Sequence, residues 1–519
     1  MLKTAPIFTN NMVLQREKCI AVWGETDSRE EIKVSLGENI AVVKAKEDGS
    51  WSVKLPSMCA GGPYELCICV GTDKICFENV MIGEVWFAGG QSNMELELQN
   101  SLNGKEAAAA ADNPMIRYFT VPHVGFFGEE MEAADAANSW HACTPDKAGA
   151  CSAVGYYFAK ELAKELGVSV GIISCNWGGT SAACWMDEEA IVQKADTKIY
   201  MDEYNQAMEG KTLEEYLKEK EEYDKYYEEW NKRVEEYYST HQDPSWEEVC
   251  NYAGENRWPG PVGPRNEYRP TGLYHAMLQR ICPYTLRGFL YYQGEQDDSK
   301  PRIYYSLLQS LVQKWRNDWE DDRLPFLCVQ LPMFKNKGEK DFKNWPLIRE
   351  AQMRLFETVK NTGIAVILDC GEFNNIHPLN KETVGNRLAL QAMAQVYDKD
   401  VSAFGPIYRS YEVFGKQIKI TFDYAEGGIV YKKDTSPGLE PEQSETGFEI
   451  AGEDKVFVPA QIQVEENVVT VSADTVENPC YVRYAWTNYG PVTMFGKNGI
   501  PMAPFRTSRD DETADDKTA

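Results

Sequence analysis

The sequence predicts an α/β fold, in which a parallel sheet flanked by helices carries accessory antiparallel β regions at both ends of the chain. The main observation is a set of continuous apolar runs that stop at Gly, Pro or a polar turn, as parallel strands buried on both faces do. These runs are VWFAGG (85–90), VSVGIISCNWGG (168–179), RGFLYYQGE (287–295), PFLCVQLP (325–332) and TGIAVILDC (362–370). Helical stretches such as AVGYYFAKELAKEL lie between them, which is the α/β pattern.

The two ends of the chain have a different texture. Residues 1–82 contain short, often alternating segments such as EIKVSL and WSVKLP, separated by turn signals such as EDGS and AGGP. Residues 405–508 return to this pattern with KQIKITFDY and CYVRYAW. We therefore expect an N-terminal sandwich-like domain (1–82), a central α/β domain (83–404), a C-terminal β region (405–508) and a disordered, charged tail (509–519).

Residues 186–265 form a helical insertion in the central domain. The segment TLEEYLKEKEEYDKYYEEWNKRVEEYY begins with Thr212 and Glu215 at capping-box spacing, and aromatic residues then recur at helical intervals. One interpretation is an amphipathic helix packed on its own domain. The other is a lid near the substrate or an arm that joins two copies of the chain.

Composition excludes several classes of function. The net charge of −27 argues against nucleic-acid and anionic-membrane partners, which need basic surfaces. No run of about 18 apolar residues is present, and the first residues show no signal-peptide pattern, so we expect a cytoplasmic protein. The fourteen cysteines lack paired CxxC spacing and are expected to be reduced, and the five histidines contain no HxxxH pair. We predict no metal and no organic cofactor.

Four of the predicted strand ends carry residues capable of chemistry. After Gly89 and Gly90 the chain can turn sharply, which exposes the hydroxyl of Ser92 at the rim of the sheet, as in a nucleophile elbow. A second glycine turn, at Gly178 and Gly179, offers backbone N–H groups to a developing oxyanion. Each turn is equally typical of an ordinary helix start.

The other two strand ends add polar side chains. Gln293 offers a neutral N–H donor, and Glu295 and Asp297 can accept bonds from sugar hydroxyls or cap the turn. His377 lies in a loop before a helix, where it can act as a general base. If the four ends meet, serine attack with histidine as the base becomes feasible.

These motifs resemble a known family. The matching blocks are GQSNM (90–94), NWGGTSAACW (176–185), YYQGEQD (291–297) and NNIHPLNK (374–381). They are similar to the ordered blocks of sialate O-acetylesterases, which are carbohydrate esterases of the SGNH-hydrolase superfamily. Segments such as PIFTNNMVLQ, RPTGLYHAML and NGIPMAPFRT extend the likeness over nearly the whole chain, apart from the insertion and the tail.

The resemblance implies a role for each matching residue. Ser92 would be the nucleophile and His377 the general base. The Ser92 amide, Gly179 or Gly178, and the Gln293 side chain would form the oxyanion hole. The side chains expected to bind substrate are Gln91, Asn93, Glu295 and Arg349, with Arg269 as a second cation for a sialate carboxylate. For either arginine, a structural ion pair is the alternative.

The sequence departs from the pattern in front of the histidine. Many SGNH enzymes place Asp three residues before it, whereas Asn374 stands here. We therefore expect a Ser–His dyad oriented by a backbone carbonyl or by Asn374, or a triad whose acid is Glu372 or Asp369.

The implied activity is the release of acetate from O-acetylated sugars, with sialic acid as the leading substrate. Two alternatives stay open: an esterase of acetylated xylan or mannan oligosaccharides, and a catalytically inactive glycan-binding protein. The expected partner is an O-acetylated sugar or oligosaccharide, and the chain is expected to form homo-oligomers only if the insertion acts as an arm.

Overall fold

A computed structural model describes residues 2–27 and 29–508 of the protein. The predicted disordered tail, 509–519, lies outside the described residues. No described helix is both long enough and apolar enough to cross a bilayer.

The N-terminal region is built from β-strands. They are β1 (Lys3–Thr4), β2 (Val13–Gln15), β3 (Ile20–Glu25), β4 (Glu31–Leu36), β5 (Asn39–Lys44), β6 (Ser50–Leu55), β7 (Gly61–Val70) and β8 (Asp73–Gly90). These strands pair antiparallel with one another, except that β2 runs parallel to β8. Strand β8 first pairs with β7 in a hairpin and then continues into the central sheet. The predicted boundary after residue 82 therefore falls inside one strand, and the side chains of both regions share one hydrophobic core.

The central region alternates strands and helices. Its strands are β9 (Asn113–Thr120), β10 (His141–Cys143), β11 (Val170–Asn176), β12 (Gly288–Tyr292), β13 (Phe326–Gln330) and β14 (Thr362–Val366). Its helices are α1 (Ser92–Glu95), α2 (Gly104–Ala109), α3 (Glu129–Ala137), α4 (Ala153–Leu166), α5 (Glu188–Val192), α6 (Ile199–Met208), α7 (Leu213–Thr240), α8 (Trp246–Ala253), α9 (Tyr304–Asp318), α10 (Asn344–Thr358) and α11 (Lys381–Gln395). Single-turn 3₁₀ or π segments lie at Leu98–Asn100, Ala148–Ala150, Ala182–Trp185, Tyr274–Leu278, Glu295–Asp297 and Leu368–Cys370.

The central sheet has the strand order β10-β9-β11-β8-β12-β13-β14. From β9 to β14 the neighbours are parallel, and β10 closes one edge as an antiparallel strand. The apolar runs of the sequence thus become the predicted parallel strands, since every residue of β11, β12, β13 and β14 is buried.

Helices cover both faces of this sheet. Successive side chains of β8 point to opposite faces, because the side-chain period of a strand is two. The ring of Trp86 meets Phe158 of α4 at 5.2 Å, and that of Phe87 meets Trp315 of α9 at 5.1 Å. Because the strands from β9 to β14 run parallel, their carboxyl ends lie at the same edge of the sheet, where the terminal turns can form a site.

The insertion folds as helices α5–α8. Helix α7 begins with the predicted capping box between Thr212 and Glu215. Tyr223, Tyr227 and Trp230 stack in a row along α7, and the Trp230 indole N–H donates to the carbonyl of Gly254. The aromatic stripe thus packs within the insertion.

The C-terminal region forms small antiparallel sheets with a hydrophobic core of their own. Its strands are β15 (Ile407–Phe414), β16 (Gln417–Asp423), β17 (Ile429–Tyr431), β18 (Phe448–Ala451), β19 (Val458–Pro459), β20 (Gln461–Glu465), β21 (Val468–Ser472), β22 (Tyr481–Tyr484), β23 (Met494–Gly496) and β24 (Phe505–Arg506). The fold is therefore mixed α/β with accessory antiparallel sheets at both ends.

The cysteine prediction needs a correction. Cys67 and Cys76 face each other across the β7–β8 hairpin and are joined by a disulfide. The sequence hides this pair, because residues nine apart become neighbours only once the hairpin forms.

Candidate active site

Ser92 stands at the sharp turn that ends strand β8. Gly90 has φ +139°, and a Cβ at this position would lie 2.1 Å from the carbonyl oxygen of Tyr292 on the neighbouring strand. Only glycine fits there, since a side chain would both clash and strain the backbone. Helix α1 begins directly after the turn, so Ser92 is its first residue.

His377 reaches Ser92 from the loop before helix α11. Its Nε2 lies 2.8 Å from the Ser92 hydroxyl, although the two residues are 285 positions apart in the chain. At this distance the imidazole can accept the hydroxyl proton. The structure thus brings together the two residues that sequence analysis singled out for proton transfer.

The histidine loop is fastened by hydrogen bonds to its backbone. Asn93 donates to the carbonyl of Ile376 at 2.9 Å, which joins the helix carrying Ser92 to the loop carrying His377. Asn375 accepts from the His377 amide and donates to Glu372, whose other oxygen accepts from the Leu379 amide. These backbone bonds hold the loop, and the contact between Nε2 and the Ser92 hydroxyl is the hydrogen bond made by the ring itself.

None of the three residues predicted to orient the histidine contacts its ring. Asn374 faces the insertion and donates to Asp243 and to the carbonyl of Pro244. Asp369 forms a bidentate ion pair with Arg387. Within residues 2–27 and 29–508, no hydrogen bond to Nδ1 of His377 is present. The predictions for Asn374 and Asp369 are wrong, because each side chain is captured by a partner distant in sequence, and Glu372 acts only through the loop backbone.

The backbone amides near Ser92 that have no protein acceptor among the described residues include that of Ser92 itself and that of Gly179. The amide of Gly178 instead donates to Glu95 at 2.5 Å. Gly179 has φ +72°, so a glycine is favoured at this turn. The spacing in the sequence did not distinguish the two glycines. The structure favours Gly179 as the oxyanion donor, because the amide of Gly178 already donates to Glu95.

Gln293 does not serve as a donor toward Ser92. Its side chain is fully buried, and its amide donates to Asp297 at 2.6 Å and to the carbonyl of Thr180. Asp297 also accepts from Ser181 and from the amide of Ala182, which anchors the Gly178–Gly179 turn. The predicted oxyanion role of Gln293 is therefore wrong, because Asp297, four residues ahead, captures its N–H group.

A buried polar network lies behind the Ser92–His377 pair. Asn93 donates to Glu295 at 2.6 Å and accepts from Lys381 at 2.6 Å, and Oε2 of Glu295 has no partner among the described residues. Burial lowers the pKa of Lys381 to about 8 and raises the pKa of Glu295. Burial and the positive charge of Lys381 lower the pKa of His377 to about 4, so its imidazole is neutral at pH 7 and ready to act as a base.

Ser92 and His377 open into a cleft of about 510 Å³. Its aromatic lining comes from Trp177, Trp258 and Tyr268, and its polar lining includes Glu95, Glu295 and Gln296. Glu295 was predicted here from the sequence, whereas the aromatic residues, Glu95, Gln296 and the neighbouring Lys381 were not. Lys381 stands in the quoted NNIHPLNK block, four residues after His377, which was the only signal for it.

The other residues predicted to bind substrate lie in different places. Gln91 reaches the cleft, but its carbonyl oxygen accepts from the amides of Gly294 and Gln296. Asn93 is fully buried in the network behind the pair.

Arg349 is fully buried and donates to the backbone carbonyls of Leu331, Pro332, Thr487 and Asn488. Arg269 donates to the carbonyls of Gly125 and Asn266. Neither arginine lines the cleft, and Asn93 is buried behind it, so the structure places none of the three side chains predicted to bind substrate against the cleft.

A serine hydroxyl in contact with a neutral imidazole, beside two free backbone N–H groups, is the arrangement of hydrolases that use a serine nucleophile. Comparison with known proteins agrees. A family model described as a carbohydrate esterase, sialic acid-specific acetylesterase, matches residues 261–394. A crystal structure of a carbohydrate acetylesterase from Xanthomonas citri superposes with a TM-score of 0.76 at 30% identity, and the match covers 98% of this chain and 100% of that one.

Curated relatives extend the likeness. The sialate O-acetylesterase of Homo sapiens is 26% identical over 549 residues, which cover 96% of this chain and 91% of the human protein. That of Mus musculus is 27% identical over 458 residues, which cover 81% and 78%. The chain belongs to the family of carbohydrate esterases that includes the sialate O-acetylesterases, and it is a carboxylic ester hydrolase.

Proposed function

We propose that the protein releases acetate from O-acetylated sugars through an acetyl-enzyme on Ser92. The observation that carries the proposal is the 2.8 Å contact between the Ser92 hydroxyl and His377 at the rim of the cleft. Membership in the carbohydrate esterase family supplies the class of substrate.

In the first step, His377 accepts the hydroxyl proton of Ser92 while the serine oxygen forms a bond to the acetyl carbon. The tetrahedral oxyanion accepts bonds from the amides of Ser92 and Gly179. The bond between the acetyl carbon and the sugar oxygen then breaks, and His377 returns the proton to that oxygen.

In the second step, water attacks the acetyl carbon on Ser92 and gives a proton to His377. The bond to the serine oxygen breaks, acetate leaves, and His377 reprotonates Ser92. No described side chain hydrogen-bonds to Nδ1 of His377, so the pair acts as a dyad. The serine turn and the histidine loop support an SGNH-type site, which we infer for the central domain. We also propose domain boundaries at residues 82 and 404, the first of which lies within strand β8.

Sialic acid is the leading substrate, because the family model and the curated relatives carry that specificity in their names. One observation favours the second candidate, an acetylated neutral oligosaccharide such as a xylan or mannan fragment. The described residues that line the cleft include Glu95 and Glu295 but no Lys or Arg to bind a carboxylate. Cytoplasmic placement and self-association through the insertion stay predictions from the sequence.

The test is a substrate panel on the wild type, Ser92→Ala and His377→Ala. We expect both variants to lose at least about a thousandfold in kcat while they stay folded by circular dichroism. Ser239→Ala, which removes an exposed hydroxyl on α7, is the matched control and should keep full activity. Substantial turnover by Ser92→Ala would exclude the mechanism.

The same panel separates the two candidate substrates. Acetate release from 9-O-acetyl sialic acid is compared with release from acetylated xylo-oligosaccharides. A fluorophosphonate probe that labels wild type but not Ser92→Ala would identify the nucleophile independently of the sugar.

A further inference from the structure

The insertion supplies part of the wall of the cleft. Trp258, near the end of the insertion, lines the cleft and meets Tyr268 edge to face at 5.1 Å. Its indole is only half-buried, so part of it faces the cleft. The insertion therefore contributes a residue to the site, in addition to packing on itself.

Trp258 lies directly beside the proposed oxyanion turn. A Cβ at Gly179 would be 2.7 Å from the Trp258 ring, so the indole covers the very position that lacks a side chain. A sugar whose acetyl group reaches Ser92 and the Gly179 amide must pass close to this ring.

The loop that carries Trp258 is held in place by hydrogen bonds. The buried Asn266 donates to the carbonyls of Pro259 and Pro261, both at 3.1 Å, and accepts from the Tyr268 amide at 2.8 Å. The Trp258 amide donates to Asn256 at 3.1 Å. The indole is thus preorganised, which lowers the entropy lost when a ligand stacks on it.

Helix α7 supports the loop from behind. A Cβ at Gly260 would lie 2.7 Å from the ring of Tyr223, and one at Gly263 would lie 2.0 Å from the ring of Tyr216. The aromatic rings of α7 pack this closely only because both loop residues are glycines. The aromatic stripe of the insertion therefore has a consequence for the site, since it fixes the loop that presents Trp258.

The chemistry of this wall fits an uncharged sugar. Aromatic rings bind the apolar faces of sugar rings, and carboxylates accept hydrogen bonds from hydroxyls. Glu95 presents a partly exposed carboxylate to the cleft, whereas Glu295 is buried with one oxygen bonded to Asn93. The described residues that line the cleft include no Lys or Arg, so an anionic group placed there would lie beside the Glu95 carboxylate.

We propose that Trp258 is a specificity-determining residue, which stacks on an uncharged sugar ring or polyol chain of the substrate while the acetyl group reaches Ser92. Any carboxylate of the substrate then lies outside the cleft. This inference rests on the proposed esterase function and adds to it the part of the sugar that is recognised.

The first experiment compares Trp258→Ala and Trp258→Phe with wild type on an acetylated xylo-oligosaccharide, on 9-O-acetyl sialic acid and on ethyl acetate, which has no sugar. We expect Trp258→Ala to raise KM for the better sugar substrate about fivefold or more, with kcat/KM for ethyl acetate changed less than about twofold. Trp258→Phe should lie in between. Tyr238→Ala, an exposed ring on α7, is the control and should match wild type.

Equal losses on the sugar and on ethyl acetate in both Trp258 variants would show a structural role and overturn the proposal, as would no change in either. If Trp258→Ala fails to fold, Trp258→Phe and Tyr223→Ala, which loosens the support, carry the same comparison. Ser92→Ala, assayed in parallel, separates the test of the esterase mechanism from the test of the role of Trp258. Its full activity overturns the esterase mechanism, whereas its inactivity with an unchanged Trp258→Ala overturns only the present inference.

The second experiment tests whether the part of the substrate that binds in the cleft is uncharged. The methyl ester of 9-O-acetyl sialic acid replaces the carboxylate by a neutral group. We expect KM to stay within about twofold, because the carboxylate lies outside the cleft. A tenfold rise in KM would overturn this part of the proposal.

Discussion

Lowering the pH from 7 to 4 tests the protonation state of His377. An ordinary histidine has a pKa of 6.5, whereas burial and the nearby Lys381 lower that of His377 to about 4. At pH 5 a site with pKa 4 is about 90% neutral, and one with pKa 6.5 is only about 3% neutral. The active base form therefore differs about thirtyfold between the two cases. We expect kcat/KM to hold between pH 7 and 5 and to fall only near pH 4.

The assay is kcat/KM for an acetylated sugar at half-unit pH steps, which reports the free enzyme's essential base. Folding must be followed by circular dichroism at each pH. Because the folded-state pKa lies below the unfolded one, the folded protein binds fewer protons between about pH 6.5 and 4, and stability falls as the pH drops through that window. Lys381→Met removes the positive charge and should move the acid limb to higher pH. An acid limb centred near pH 6.5 in the wild-type folded enzyme would refute the reasoning.

Two further predictions concern the support of the site and of the fold. Asn93→Ala removes the bond to the Ile376 carbonyl and leaves Glu295 and Lys381 without their shared partner, so we expect kcat to fall about 10- to 100-fold with a small change in KM. Steady-state kinetics check this, and an unchanged kcat would contradict it. Glu84→Gln acts on a fully buried carboxylate that binds Arg16 and Arg287, and should lower the free energy of unfolding by about 3–5 kcal/mol in urea titrations. Its kcat/KM should stay at the wild-type level, since Glu84 lies about 20 Å along β8 from Gly90.

The pattern of apolar runs was a reliable guide to the sheet. AVGYYFAKELAKEL became helix α4 with the same bounds, and VWFAGG became the last residues of β8. The reason is that a strand buried on both faces needs apolar residues throughout, so burial is written into the local sequence. The antiparallel ends followed from alternation and turn residues in the same way. Nothing in the local sequence shows that β8 continues from the N-terminal hairpin into the central sheet.

The site was predictable where a residue's role depends on its own turn. Gly90 and Gly179 both have positive φ angles, which a glycine adopts without strain. The turns that they form, and the position of Ser92 after the first of them, therefore follow from the local sequence. The roles predicted for Gln293 and Arg349 were wrong, because a buried polar side chain must hydrogen-bond to the groups packed around it. For Gln293 such a group is Asp297, and for Arg349 it is the carbonyl of Pro332. Asn374 failed for the same reason, since Asp243 reaches it from the insertion.

By itself, the sequence determined the class of fold, the turn that exposes Ser92 and the identity of the histidine that serves it. Only the tertiary structure decided which amides stay free, that no carboxylate of the described residues bonds to the ring of His377, and that Trp258 of the insertion lines the cleft. The physical reason is one of range. Burial and turn geometry act on consecutive residues, whereas a hydrogen-bond partner or an aromatic wall is chosen by chain segments that meet only after folding.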